Sequence, residues 1–135
     1  MANYQLVANH PGYWEFIREL RTMDGVRDGF IEQGQISSIE HAKYMLQYNS
    51  NFWICLDDKK PVGYVGVIKD DIRVATHPDY HGKGVGTFMI TEVVKSHPTA
   101  VAKIKLDNTA SIRLFEKCGF VKKFYILERK DNKNG

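Results

Sequence analysis

The segment His81-Gly82-Lys83-Gly84-Val85-Gly86 places three glycines within six residues. It lies between the apolar run Ile72–Ala75 and a stretch of helical periodicity that begins at Val85. Glycine costs about 0.5–1 kcal/mol relative to alanine in regular structure, so such a cluster indicates a close approach of the backbone to another group. N–H groups at a helix start bind phosphates, because the helix dipole is positive there. The segment therefore predicts a phosphate-binding turn, with a plain glycine-rich connection as the alternative.

Two common phosphate motifs do not fit this segment. A P-loop requires GxxxxGK[ST], whereas Lys83 stands between glycines and Thr87 does not follow a lysine. The dinucleotide pattern GxGxxG is not met either, because the glycines at 82, 84 and 86 are each two residues apart. Neither motif therefore identifies the ligand.

The hydrophobic pattern along the rest of the chain predicts helices and strands in a mixed order. Helices are expected over 10–23, from the capping box Ser37-x-x-Glu40 to Asn49, from 85 to just before Pro98, and over 108–117. Strands are expected over 4–8, 52–56, 62–68, 72–75 and 101–106, with one or two more in 120–129. Short connections between residues 52 and 75 imply an antiparallel meander, and the later helices imply crossovers. The fold class is therefore α+β with a mixed sheet.

Two stretches carry a family resemblance. The first, IRVATHPDYHGKGVGTFMI over 72–90, resembles the acetyl-CoA-binding segment of the GNAT acetyltransferase superfamily, [QR]xxGx[GA] after a strand, with His81 in place of Gln or Arg. The second, from Asn108 to Phe120, resembles the family pattern NxxAxxLYxxxGF. The chain length suits one domain over 1–135, which the resemblance makes an acetyltransferase domain, and the terminal residues 131–135 are expected to fray. The resemblance also implies three layers: a mixed, mostly antiparallel sheet of six to seven strands flanked by about four helices.

The resemblance also implies which residues hold acetyl-CoA as co-substrate. Glycines at the start of the third helix would let N–H groups surround the pyrophosphate, and a strand N–H near 74–76 would bond the acetyl carbonyl. Asn108 matches a cofactor-contacting asparagine and also suits a helix N-cap. The implied cofactor residues are Val74, Ala75, Thr76, His81, Gly82, Lys83, Gly84, Val85, Gly86, Thr87, Asn108, Ser111 and Phe115.

The sequence does not decide which groups act as general acid and general base. The family pattern has a tyrosine acid where this chain has Phe115, so Tyr80, Tyr125 or water is left to protonate the departing thiolate. Asp70 lies at the offset of a family general base, with a polar hairpin turn as the alternative reading. Histidine is a common general base near neutral pH, which makes His77 a second candidate, and solvent is the third possibility.

The acceptor is expected to be a primary amine that attacks the thioester directly. Residues 21–41 are diffusely similar to bacterial amino-sugar N-acetyltransferases, which act on nucleotide-linked sugars, and Arg21, Arg27 and Phe30 are the candidate substrate residues. The alternatives are acetylation of a protein N-terminus or lysine, and a catalytically silent acetyl-CoA-binding module.

Composition narrows the remaining classes. The net charge is +3, and the basic residues lack the density and aromatic interleaving of a nucleic-acid surface. No apolar run approaches a membrane span, so a cytoplasmic protein without membrane partner is expected. The two cysteines, 63 positions apart, predict free thiols rather than a metal site. A monomer or homodimer is expected.

Overall fold

A computed structural model describes residues 2–26 and 36–130 of this 135-residue chain. The predicted acceptor residues Arg27 and Phe30 and the predicted frayed tail 131–135 lie outside the described residues. Within the described part, strand β1 (Tyr4–Ala8) precedes helices α1 (Pro11–Thr22) and α2 (Ser38–Tyr48). Strands β2 (Phe52–Asp57), β3 (Lys60–Ile68) and β4 (Asp71–Thr76) follow, and then helices α3 (Val85–Ser96) and α4 (Thr109–Lys117).

The helix starts follow from side chains that the sequence places there. His10 Nδ1 accepts the Gly12 N–H at 3.0 Å, with Pro11 at the first helical position of α1. At α2 the predicted capping box is present: Ser37 Oγ accepts the Glu40 N–H and the Glu40 carboxylate accepts the Ser37 N–H, each at 3.1 Å. These bonds with Ser37 hold the pKa of the Glu40 carboxyl below its usual value.

The four strands form one antiparallel sheet in the order β1-β2-β3-β4. Side chains alternate between its faces. Cys55, Val65 and Val67 pack with α3 and with Phe115 of α4, while Ile54, Leu56 and Tyr64 pack with α1 and α2. The molecule thus has three layers, with the sheet between two pairs of helices.

Two predicted strands are not present as strands, and the described residues do not confirm a sheet of six to seven strands. Val101 makes a single parallel bridge to Asp71, and residues 102–106 then leave β4 without a ladder. Residues 120–129 contain aromatic and β-branched side chains typical of strands, but lie outside any ladder in the described chain. Period-two alternation shows that a segment suits a sheet, whereas a strand also needs a neighbour to bond. The fold is α+β with four helices and a four-stranded antiparallel sheet among the described residues.

Candidate functional site

A cleft of about 1180 Å³ opens where β4 separates from residues 102–105. Its walls come from β4, from the loop and helix start at 80–87, from α4, and from α1 and α2 on the other face of the sheet. Six lysines and arginines and two aspartates stand among its described lining residues. A basic cleft of this kind attracts anionic ligands.

One end of the cleft is formed by residues 81–87, here called the glycine end. Gly84 is the N-cap of α3 with φ +84°, a left-handed conformation that favours glycine. A Cβ added at Gly84 would meet nothing within 4 Å. The first N–H groups of a helix have no partner within it, and at α3 they begin beside this open space, so the glycine end suits a phosphate.

Gly86 has a different reason to be glycine. A Cβ added there would lie 2.8 Å from Cδ2 of Leu114, so its absence allows α3 to approach α4 closely. This contact packs the start of α3 against the second half of α4. Asn108, the N-cap of α4, lines the same cleft, and its Oδ1 accepts the Ser111 N–H at 3.2 Å.

The other end is a polar cluster made by α1, α2, β3 and β4. We call it the Arg73 cluster; its members are Arg21, His41, Tyr44, Tyr64 and Arg73. Arg73 donates from Nη1 to the Tyr44 hydroxyl at 3.1 Å, and its Nη2 lies 3.6 Å from the Asp71 carboxylate. The Arg73 side chain is 41% exposed, so it keeps a face toward the cleft.

Burial governs the titration of this cluster. It raises the pKa of Tyr64 and of Tyr44, and the guanidinium groups of Arg21 and Arg73 act in the opposite direction on both phenols. Burial also lowers the pKa of His41, whose Nε2 lies 2.8 Å from the Trp14 carbonyl oxygen. That contact needs an N–H donor, which places a proton on Nε2, and the lowered pKa favours the neutral ring. The cluster therefore carries its positive charge on the two arginines.

Most of the predicted cofactor residues line the cleft. These are Val74, Ala75, Thr76, His81, Gly82, Gly84, Val85, Gly86, Thr87, Asn108, Ser111 and Phe115. Lys83 lies outside the lining, with Nζ 5.1 Å from the Tyr80 ring centroid. His81 Nε2 lies 3.0 Å from the Thr76 carbonyl oxygen, which ties the loop to the end of β4.

The two predicted base residues lie outside the cleft lining. Asp70 is in the β3–β4 turn, where it and Lys69 have φ of +65° and +52°, and its Oδ2 accepts from Thr99 at 3.1 Å. His77 Nδ1 accepts the Asp79 N–H at 3.1 Å and caps the 3₁₀ turn 78–80. Among the predicted substrate residues, Arg21 lines the cleft.

Sequence reasoning missed the other members of the Arg73 cluster. Arg73 and Tyr44 are 29 positions apart, so nothing local pairs them. Only the alternation of β4 carried a signal: Val74 faces α3 and α4, which places Arg73 and Ala75 on the α1 and α2 side.

The aromatic residues Phe115 and Tyr80 also line the cleft. Phe115 is buried, lines the cleft, and packs edge-on against Phe120 with ring centroids 5.1 Å apart. Tyr80 also lines the cleft, and the Nζ atoms of Lys60 and Lys83 lie 5.5 and 5.1 Å from its ring centroid. Tyr125 is exposed and lies outside the lining.

The described residues were also compared with the requirements of a reactive thiol, a metal site and a membrane span. The predicted free thiols are confirmed: Cys55 is buried, Cys118 is half-buried, and burial raises the pKa of Cys55 to about 12. No group of three or more His, Cys, Asp or Glu over 2–26 and 36–130 is arranged to hold a metal ion. Over the same ranges, no helix has the length and apolar character needed to cross a bilayer.

Comparison with known proteins agrees with this geometry. Residues 14–120 match the Acetyltransferase (GNAT) family, so the chain belongs to that family and is an acetyl-CoA-dependent N-acetyltransferase. The cradle at Gly84, into which no side chain projects, fits the pyrophosphate of that co-substrate. A search of curated protein sequences found no match.

Solved structures share the fold at low identity. A domain from Methanocaldococcus jannaschii is 22% identical, with TM-score 0.79, covering 98% of this chain and 95% of that one. Spermidine N-acetyltransferase from Vibrio cholerae, in complex with CoA and spermine, is 19% identical, with TM-score 0.78 and coverage of 93% and 85%. AAC(6')-Iy, in complex with the bisubstrate analogue CoA-S-monomethyl-acetylneamine, is 14% identical, with TM-score 0.68 and coverage of 95% and 98%.

Proposed function

We propose that this protein transfers the acetyl group of acetyl-CoA to the primary amine of a small anionic acceptor, of which a nucleotide-linked amino sugar is the leading class. One observation carries the proposal: a single cleft has a phosphate-binding helix start at one end and the Arg73 cluster at the other. Such a cleft fits two negatively charged substrates, one with its charge at each end of the cleft. Their reacting groups would then meet between the two ends.

The glycine end binds the pyrophosphate in this proposal. The N–H groups of the first turn of α3 and the positive end of its dipole face the phosphates. Toward the middle of the cleft, residues 73–76 of β4 bond β3 on one side and, in the described chain, have no strand on the other. Their outward backbone groups are positioned to bond the pantetheine arm, and an N–H at 74–76 stabilises the developing oxyanion.

The Arg73 cluster selects the acceptor. Arg21 and Arg73 offer planar donors suited to a phosphate or carboxylate. Tyr44 fixes the Arg73 guanidinium, which reduces the entropy lost on binding. A polycation such as spermine would meet two like charges there, so this chain is expected to differ in acceptor from its spermidine-acetylating structural neighbour.

The chemical step is direct attack of the neutral amine on the thioester carbonyl. A C–N bond forms, the C–S bond breaks, the nitrogen loses one proton, and the sulfur leaves as thiolate or thiol. Because Asp70 and His77 lie outside the cleft lining, we assign the nitrogen's proton to solvent. Tyr80 is the cleft hydroxyl among the candidate acids, and we assign protonation of the sulfur to it.

A panel of amines tests the proposal. Release of free CoA thiol is followed with acetyl-CoA and nucleotide-linked amino sugars, free amino sugars, amino acids, peptides, or polyamines, with hydrolysis without amine as background. We expect the highest kcat/KM for a phosphate-bearing amino sugar. A preference for spermine or for peptide amines would refute the assignment of acceptor, and no amine-dependent release from any class would favour a silent binding module.

A further inference from the structure

The Arg73 cluster contains a buried tyrosine hydroxyl that has no hydrogen-bond partner. Tyr64 is 3% exposed and lines the cleft, and within residues 2–26 and 36–130 its hydroxyl makes no hydrogen bond. A polar group left unpaired in a protein interior costs free energy, and a ligand in the cleft would pair it. We propose that the Tyr64 hydroxyl binds a hydroxyl group of the acceptor that lies beside the reacting amine. This inference rests on the function proposed above and narrows its substrate class to hydroxylated amines.

The strand register places Tyr64 beside the reacting groups. Tyr64 of β3 lies directly opposite Ala75 of β4, and both side chains pack on the face of the sheet that carries α1 and α2. Neighbouring strands are about 4.8 Å apart, so the phenol ring begins one strand spacing from residues 74–76. The N–H groups of those residues are the ones assigned to the acetyl carbonyl. A substrate group bound by Tyr64 is therefore close to the carbon that the amine attacks.

The Tyr64 hydroxyl is available as a donor. Burial raises the pKa of Tyr64, so the phenol keeps its proton near neutral pH. The neighbouring guanidinium groups of Arg21 and Arg73 offer only donors, so they do not accept this proton. The reacting amine does not accept it either, because the nitrogen lone pair is directed at the thioester carbonyl. The bound group is therefore a second polar group of the acceptor.

Two acceptor atoms in the cleft wall are unpaired as well. His41 Nδ1 and Asp71 Oδ1 are buried, and neither has a partner among the described residues. The proton on His41 Nε2 faces the Trp14 carbonyl oxygen, so Nδ1 of the neutral ring is an acceptor. A phosphate offers only acceptors and would leave both atoms unpaired. A hydroxyl group accepts as well as donates, so a hydroxylated amine fits this wall better than a simple amino phosphate.

The test combines one change in the enzyme with one change in the substrate. The kcat/KM is measured for glucosamine 1-phosphate and for its 3-deoxy analogue, which lacks the hydroxyl on the carbon next to the amine. In wild type, loss of this hydroxyl should lower kcat/KM about ten- to a hundredfold, because Tyr64 is then left unpaired. In Tyr64→Phe the two substrates should differ by less than about threefold, since the hydroxyl has lost its partner in the enzyme.

Melting temperature separates this role from a structural one. Because the Tyr64 hydroxyl is unpaired without acceptor, Tyr64→Phe should leave the melting temperature unchanged or raise it, whereas loss of a structural hydrogen bond would lower it. The control is Tyr13→Phe, which removes a hydroxyl from the same layer but outside the cleft lining. Tyr13→Phe should keep the wild-type ratio between the two substrates.

The outcomes distinguish this inference from the proposed function. Equal kcat/KM for the two sugars in wild type, or the same ratio in Tyr64→Phe as in wild type, would overturn the role of Tyr64 while an anionic amino sugar remained the acceptor. A wild-type enzyme that acetylates spermine but no phosphate-bearing amino sugar would refute the proposed function, and the inference with it.

Discussion

The Tyr44 hydroxyl accepts a hydrogen bond from Nη1 of Arg73 at 3.1 Å, joining α2 to β4 at one end of the cleft. The bond crosses from the layer of α1 and α2 to the sheet, and it aims a half-exposed guanidinium along the cleft. Under the proposed function, acceptor recognition then depends on Tyr44, a residue that need not touch the acceptor itself.

Tyr44→Phe tests this positioning role. The change removes the hydroxyl and leaves the ring, so Arg73 keeps its charge but loses its fixed orientation. We expect KM for the acceptor to rise about three- to tenfold with kcat nearly unchanged, because Arg73 keeps its charge and the effect is therefore smaller than the about 1.5–3 kcal/mol of a full hydrogen bond to a charged group. Tyr48→Phe, on the same helix and packed against Tyr44, is the control and should leave KM unaltered. An unchanged KM in Tyr44→Phe would count against the role.

Substitutions at Gly84 and at Gly86 should change different quantities: the first acetyl-CoA affinity, the second melting temperature. Gly84→Asp puts a carboxylate into open space at the glycine end, where we expect about a 100-fold loss of acetyl-CoA affinity by calorimetry, because like charges placed together cost several kcal/mol. Gly84→Asn has nearly the same shape without the charge, and should lose much less acetyl-CoA affinity. Equal acetyl-CoA affinity in Gly84→Asp and Gly84→Asn would show that Gly84 serves only the turn.

Gly86→Ala should act on stability. Its methyl group would press against Leu114, so the melting temperature should fall, and saturating acetyl-CoA should raise the melting temperatures of both wild type and Gly86→Ala.

Phe115→Tyr tests how the thiolate leaves. Phe115 lines the cleft, so a hydroxyl added there should act as an acid and raise kcat by up to about tenfold when chemistry is rate-limiting. A modest loss of stability is expected, because the site is buried. Tyr80→Phe should lower kcat, and Phe120→Tyr, which alters the neighbouring ring outside the lining, should leave kcat unchanged. An unaltered kcat in Phe115→Tyr, with the chemical step limiting, would show that no acid acts from this position.

His41 gives the stability of the protein a definite pH dependence. Burial holds its pKa in the folded state below the ordinary value near 6.5, so the unfolded chain binds the proton first as pH falls. The free energy of unfolding should therefore be full above about pH 6.5 and decline below it until the folded-state pKa is passed. His41→Gln keeps a donor for the Trp14 carbonyl but does not titrate, and should flatten urea-unfolding free energies between about pH 8 and pH 5. An unchanged slope would contradict the buried neutral state.

Local chemistry in the sequence predicted most of the fold. Ser37 and Glu40 marked the start of α2 to the residue, and the strands from Tyr4 to Ala8 and from residue 52 to 76 followed from apolar patterning and short turns. The same patterning predicted strands over 101–106 and 120–129 that are not present as strands in the described chain. A pattern of side chains does not reveal whether a neighbouring backbone is within bonding distance.

The sequence revealed one end of the cleft and not the other. The glycine end is one contiguous stretch, so composition and position identified it. The Arg73 cluster is assembled from α1, α2, β3 and β4, and its members meet only after the sheet has formed. Gly86 was predicted as a cofactor residue, and its packing against Leu114 became visible only with the two helices in place.

The central claim, that the Arg73 cluster selects an anionic amine for acetylation, is tested most directly by reversing its charge. The measurement is the ratio of kcat/KM for a phosphate-bearing amino sugar to that for spermine, in wild type, Arg73→Glu, and the exposed control Lys59→Glu in the β2–β3 turn. We predict a ratio above one in wild type and in Lys59→Glu, and a fall of at least about tenfold in a folded Arg73→Glu, through loss of the anion and gain of the polycation. A ratio below one in wild type, or the same ratio in Arg73→Glu as in wild type, would contradict the account.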